Sequence, residues 1–138
     1  MEAELGQLDV QGVTKVYGSG RRETLAVRGV SFGLTRGQMG VLLGPSGCGK
    51  STVLRMVAGL ESRSGGNIAV SGRSVTGPGQ DRGLVFQSYT SFPWLTVEQN
   101  VAYGLRINGA EHQLREGVVE HFLEAIGLID FRHHYPDQ

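Results

Sequence analysis

The chain has 138 residues, enough for one domain that buries roughly two-thirds of its unfolded surface. Thirteen Lys and Arg balance thirteen Asp and Glu, so no net field draws it to a polyanion, and nucleic-acid binding is set aside. A single Cys48, no basic-then-apolar leader in MEAELGQLDV and no apolar run near the ~20 residues of a membrane span point to a reducing, cytosolic setting without direct membrane insertion.

Along the first forty residues, Leu8 and Val10, then Leu25 and Val27, then Val30, Phe32 and Leu34 alternate with period two. GSGRR at 18 to 22 reads as a hairpin-like turn, so a small antiparallel sheet is predicted. Met39 to Leu43 is a short apolar run leading into a glycine loop, and Val53, Leu54, Met56, Val57 and Leu60 then follow helical spacing. This gives strand, loop, helix. Ile68 and Val70 alternate between the turn signals SGG and SGR, and Gly83 to Phe86 is a further apolar run ending at Gln87. Two more strands are predicted, the second in the core.

Thr96 and Gln99 have capping-box spacing before Val97, Val101 and Leu105, so a helix is predicted from Val97 to near Gly109. A second is predicted from about Glu111 to Ile126, with Leu114, Val118, Val119, Phe122 and Ile126 on one face and Gly127 at its end. With 22 glycines, about twice the ordinary ~7% share, spread through turns rather than set in a repeat, this is a loop-rich α/β chain.

GPSGCGKST, residues 44 to 52, carries the chemistry. Gly44, Gly49, Lys50 and Ser51 satisfy G-x-x-x-x-G-K-[ST] in full, after a predicted strand and before a predicted helix. A phosphate chain needs inward-pointing backbone donors, and Gly44, Gly47 and Gly49 let the loop bend to supply them at a helix N-terminus. Lys50 brings a point charge to the β and γ phosphates, Ser51 offers a hydroxyl to Mg²⁺, and Thr52 donates to the α phosphate. Pro45, Ser46 and Cys48 complete the cofactor-binding loop, with Cys48 read as filler rather than a redox switch. The implied ligands are a nucleoside triphosphate and Mg²⁺.

From Tyr17 through GPSGCGKST to VFQSYTSFPWLTVEQNVAYGL, the chain resembles the ATP-binding subunit of ABC transporters, and FPWLTVEQNVAYGL looks most like the nitrate, sulfonate, taurine and bicarbonate importer branch. The resemblance implies a P-loop NTPase-type α/β core with an N-terminal antiparallel β-subdomain over residues 1 to 87, and the start of a helical subdomain over 88 to 138. It implies that Tyr17 in VTKVYG stacks on adenine, the alternative being an ordinary strand aromatic. Gln87 falls at the Q-loop glutamine, a catalytic and metal-contacting position with Lys50 and Ser51. Read without the resemblance, it is an ordinary glutamine ending a buried strand.

The loop SYTSFPWLTV holds Tyr89, Phe92, Trp94 and Leu95, either as an apolar docking patch or as anchors for the next helix. By resemblance, residues 88 to 107 receive a transmembrane permease subunit, which keeps the chain cytoplasmic and peripheral on the inner face of the cell membrane. A second ATP-binding subunit completes the site in such assemblies.

Family members continue past the YP of HHYPDQ into an LSGGQ signature, a strand with a catalytic Glu and a switch His, none of which occurs in these 138 residues. AIGLID, 125 to 130, ends in an acid but is broken by Gly127, and is read as a helix end rather than a Walker B strand. His133 and His134 are read as a solvated pair. The expectation is a chain truncated before the signature motif that binds ATP, hydrolyses it negligibly alone and folds marginally or aggregates, its parent being an importer ATPase. The alternatives are a non-catalytic nucleotide-sensing module docked on a membrane partner, and another P-loop enzyme. The latter is opposed by the absence of a guanine-reading N-K-x-D pattern and by the Q-loop context.

Overall fold

The computed structural model describes residues 7–88, 90–110 and 117–138. The chain divides into two compact units, Met1–Val85 and Phe86–Gln138.

In the first unit, β1 (Leu8–Tyr17) pairs antiparallel with β2 (Thr24–Leu34) on one side and with β3 (Gly65–Val70) on the other. The two-residue β4 (Arg73–Ser74) extends β3, giving the order β2-β1-β3-β4. The predicted antiparallel sheet is present, joined by a 3₁₀ turn at Gly20–Arg22.

The alternation changes phase inside β1. Val10 faces Phe32 and Val13 faces Val30, so the first strand carries one extra residue between them, a bulge containing Gly12 at φ 54°. The bulge lets Val10 and Val13, which an unbroken period of two would set on opposite faces, both enter the core. Another register shift, between Lys15 and Val16, accompanies the exposure of Leu25, which the alternation had grouped with the buried Val27.

Helix α1 (Lys50–Val57) lays Val53 and Met56 into the cluster formed by Val10, Val13, Val27 and Ile68. Their i, i+3 spacing gives the helix one buried stripe. Leu54 and Leu60, which share the predicted helical pattern, are half exposed.

Two predicted strands are not formed. Met39 to Leu43 and Gly83 to Phe86 have no regular secondary structure, and Met39 (89% exposed), Leu43 (87%) and Val85 (96%) project to solvent. A strand exists through ladder hydrogen bonds, and no ladder among the described residues includes either run. The second run is therefore not in the core, contrary to the expectation from its apolarity.

The second unit is built on α2 (Val97–Ile107) and α3 (Val118–Ala125), which pack through Ala102, Val119 and Leu123. The predicted capping box is formed: the Thr96 hydroxyl accepts from the Gln99 N–H, and the Gln99 carbonyl Oε1 accepts from the Thr96 N–H at 2.9 Å. The remaining first-turn donors are satisfied from far along the chain, since Val97 N–H donates to the His134 carbonyl and Glu98 N–H to that of Arg132. Arg132 then bridges the carboxylates of Glu98 and Glu120, which stand in the first turns of the two helices.

Of the second predicted helix, residues 111 to 116, Leu114 among them, lie outside the described residues. In its described part the buried pair is Val119 and Leu123, while Phe122 and Ile126 are more than half exposed. The packed stripe, Val119 and Leu123, is offset by one residue, about 100° of rotation, from the Val118, Phe122 and Ile126 part of the predicted face, and it is the stripe that meets Ala102 of α2. The helix ends where Gly127, at φ 70°, donates to Glu124 and Leu128 to Leu123, the paired bonds of a Schellman turn. AIGLID is thus a helix end, followed by a 3₁₀ turn at Ile129–Phe131.

Candidate phosphate site and its relatives

The glycine loop lies against β2 and opens into the N-terminus of α1. Gly49 is the N-cap, in the left-handed region at φ 98°, and a Cβ there would come within 2.7 Å of the Ala26 carbonyl oxygen. Only glycine meets both demands. A Cβ on Gly44 would lie 2.7 Å from the Cys48 sulfur, so a side chain there would have to displace a neighbour inside the loop. Gly44, Pro45, Ser46, Gly47 and Cys48 are exposed, and Gly49, Lys50 and Thr52 half-buried.

No side chain caps α1 and no acid stands in its first turn. The first N–H groups of a helix have no partner within it, and the positive end of the helix dipole adds to their pull on an anion. Lys50 Nζ donates to the carbonyl oxygens of Gly44 and Pro45, both at 2.7 Å, and approaches Cys48 Sγ at 3.5 Å. The ammonium is thereby folded over the loop that precedes it, on the side of the helix N-terminus. Ser51 is exposed beside it. A cavity of about 590 Å³ borders the loop, with Thr24, Leu25 and Ala26 of β2 on one wall and Gly47, Cys48 and Lys50 on the other.

Tyr17 ends β1 opposite Thr24 and is 38% exposed. The first unit therefore brings Tyr17, the glycine loop, Lys50, Ser51 and Thr52 onto one scaffold. Gln87 stands at the start of the second unit, exposed and in a bend.

The sequence reading missed the buried Lys15, whose ammonium is 2.6 Å from Glu61 Oε1 and 4.8 Å from the Tyr17 ring centroid. Its signal was a lysine two residues from Val13 on the core side of a strand, a place where a charge needs a partner.

In the second unit, Phe92 stacks on Tyr103 of α2 at 4.4 Å between centroids, and Asn100 ties the loop by donating to the carbonyls of Phe92, Leu95 and Thr96. Trp94 beside it is 70% exposed. Both readings of this loop thus have a side chain: Phe92 anchors, and Trp94 projects. Tyr89 lies outside the described residues. His133 is 76% exposed, and among the described residues no three His, Cys, Asp or Glu side chains group as a metal site.

Residues 27–138 match the family model described as ABC transporter. The chain belongs to the ABC transporter family. Similar members include the nitrate import ATP-binding protein NrtD of Synechocystis sp., 40% identical over 94% of this chain and 48% of that protein. The taurine import ATP-binding protein TauB of Burkholderia pseudomallei is 40% identical over 97% of this chain and 52% of its own length. The chain thus spans about half the length of the curated relatives it matches. Among solved structures, an ATP-binding cassette in a dimeric post-hydrolysis state bound to ADP and Pi superposes with a TM-score of 0.77 at 26% identity, covering 95% of this chain and 62% of that one. The fold is accordingly that of an ABC cassette, a P-loop α/β domain with an antiparallel β-sheet, present here in part.

Proposed function

We propose that the chain is the nucleotide-holding portion of an ATP-binding subunit of an ABC importer, which couples ATP binding and hydrolysis to solute uptake. The carrying observation is the loop itself: Gly49, which no other residue replaces, an uncapped helix N-terminus, and Lys50 resting on the Gly44 and Pro45 carbonyls. Those two carbonyls hold the ammonium over the loop. When a triphosphate enters, Lys50 exchanges neutral acceptors for charged ones, and the Gly47 to Thr52 N–H groups take the α and β phosphates.

Ser51 would hold Mg²⁺ together with phosphate oxygens and water, which fits an ion that keeps much of its hydration and binds through few protein oxygens. The ion would screen phosphate charge during transfer. Tyr17 carries the adenine and Gln87 acts as the sensor between the nucleotide and the permease. Residues 88 to 107, with Trp94 exposed, form the docking surface for a transmembrane permease subunit, and a second ATP-binding subunit completes the working assembly at the inner face of the membrane. The cradle, Ser51 and Gln87 are the hydrolytic parts within these 138 residues, so the chain alone is read as binding ATP with negligible turnover.

The test is calorimetric titration with Mg-ATP of the chain and of its Lys50→Ala variant. We expect the variant to lose at least about 10-fold in affinity, as for a lost charge-assisted contact. Equal affinities reject the reading.

A further inference from the structure

Lys15, Glu61 and Tyr17 form a cluster outside the glycine loop. Val13, Lys15 and Tyr17 alternate along one face of β1, with Val13 fully buried, Lys15 6% exposed and Tyr17 38% exposed, so this face runs from the core out to solvent. α1 packs on the same face through Val53 and Met56, which share a cluster with Val13. Tyr17 is paired with Thr24, two residues from the Ala26 carbonyl that Gly49 abuts. The ring therefore sits on the strand next to the one that supports the phosphate loop.

Lys15 is held from two directions. Its ammonium donates to the Ser62 carbonyl and pairs with Glu61 Oε1, both at 2.6 Å, and lies 4.8 Å from the centroid of the Tyr17 ring. Glu61 in turn is clasped to α1 by its N–H bond to the Arg55 carbonyl. Its carboxyl is held below the ordinary value, first by the hydrogen bond from Lys15 and then by the charge of the same ammonium. Tyr17 thus has one face covered by a cation that Glu61 and the Ser62 carbonyl hold in place. A flat ligand can approach only the other face.

We propose that Lys15 and Glu61 are positioning residues that fix the Tyr17 ring as a one-sided stacking platform for a purine base; this rests on the reading of Tyr17 as the base contact. A side chain ordered before the ligand arrives loses no rotamer freedom on binding, and a cation beneath a ring draws π density away from the open face, which favours an electron-rich base there. The pair thus contributes to recognition of the base and not of the phosphates. That separation distinguishes it from a general structural role.

The experiment compares affinity for Mg-ATP with affinity for magnesium tripolyphosphate, which offers the phosphates without the base, on the chain and on Glu61→Gln, Lys15→Met, Tyr17→Phe and Tyr17→Ala. Glu61→Gln and Lys15→Met are expected to weaken ATP roughly 3- to 10-fold, the range for re-ordering one side chain, while tripolyphosphate is unchanged. Tyr17→Phe keeps the ring over the Lys15 ammonium and is expected to bind ATP nearly as the parent chain does. Equal losses for ATP and tripolyphosphate overturn the proposal, because the pair then only supports the fold. ATP affinity unchanged in Glu61→Gln and Lys15→Met but lost in Tyr17→Ala overturns it too, while leaving the base contact in place. No effect of Tyr17→Ala removes the base contact and the proposal with it.

Discussion

β1 and β2 on one side, and the runs Met39 to Leu43 and Gly83 to Phe86 on the other, all read as strands in the sequence, the first pair by alternation and the two runs by short continuous apolarity. The first pair closes a ladder from Leu8↔Leu34 to Tyr17↔Thr24 and buries Val10, Val13 and Val27. The two runs pair with nothing among the described residues and leave Met39, Val41, Leu43 and Val85 mostly exposed. Apolar composition gives a segment something to gain from burial, but the gain is realised only where a partner strand and a covering helix are supplied. The glycine loop stands between these regimes, since its helix packs into the finished core while the run entering it touches that core only through Leu42.

The comparison can be broken with a matched pair of methionines. Met56→Ala removes a side chain that is 1% exposed and is expected to cost about 2–5 kcal/mol in chemical denaturation. Met39→Ala, at a residue 89% exposed, is expected to stay within about 0.5 kcal/mol. Similar costs at both positions contradict the account of the uncovered run.

A smaller effect tests the junction. Gly49→Ala forces a Cβ against the Ala26 carbonyl at a left-handed φ and is expected to cost about 1–3 kcal/mol, together with nucleotide affinity. Retained stability there removes the packing of the loop on β2. In the second unit, Thr96→Ala deletes the hydroxyl half of the capping box and is expected to cost about 1 kcal/mol, read from the unfolding midpoint.

The least effect is expected from pH at Glu61. The carboxyl is held low in the folded chain, so the unfolded chain takes up its proton first. The contribution of the Lys15 pair is therefore complete above the ordinary value of 4.5 and is lost as pH falls through the lowered one. The stability difference between the chain and Glu61→Gln should shrink on acidification across that window. A difference that stays constant contradicts the assignment.

Much of this was legible in short-range pattern. The phosphate motif, the helix after it, the capping box at Thr96 and the stop at Gly127 are each decided by residues a few positions apart, where backbone geometry is local. The failures come from long-range terms. The bulge at Gly12 changed the phase of β1, the buried stripe of α3 is the one that meets Ala102 on another helix, and the two apolar runs needed partner strands. Lys15 escaped because Glu61, which makes its burial tolerable, lies on the far side of the glycine loop and α1.

The most direct measurement is Mg-ATP binding and inorganic phosphate release on the same sample of the 138-residue chain, beside Lys50→Ala and after circular dichroism shows both folded. The account predicts saturable binding that Lys50→Ala weakens, with no release above the rate of nucleotide alone. Steady release that disappears in Lys50→Ala contradicts it.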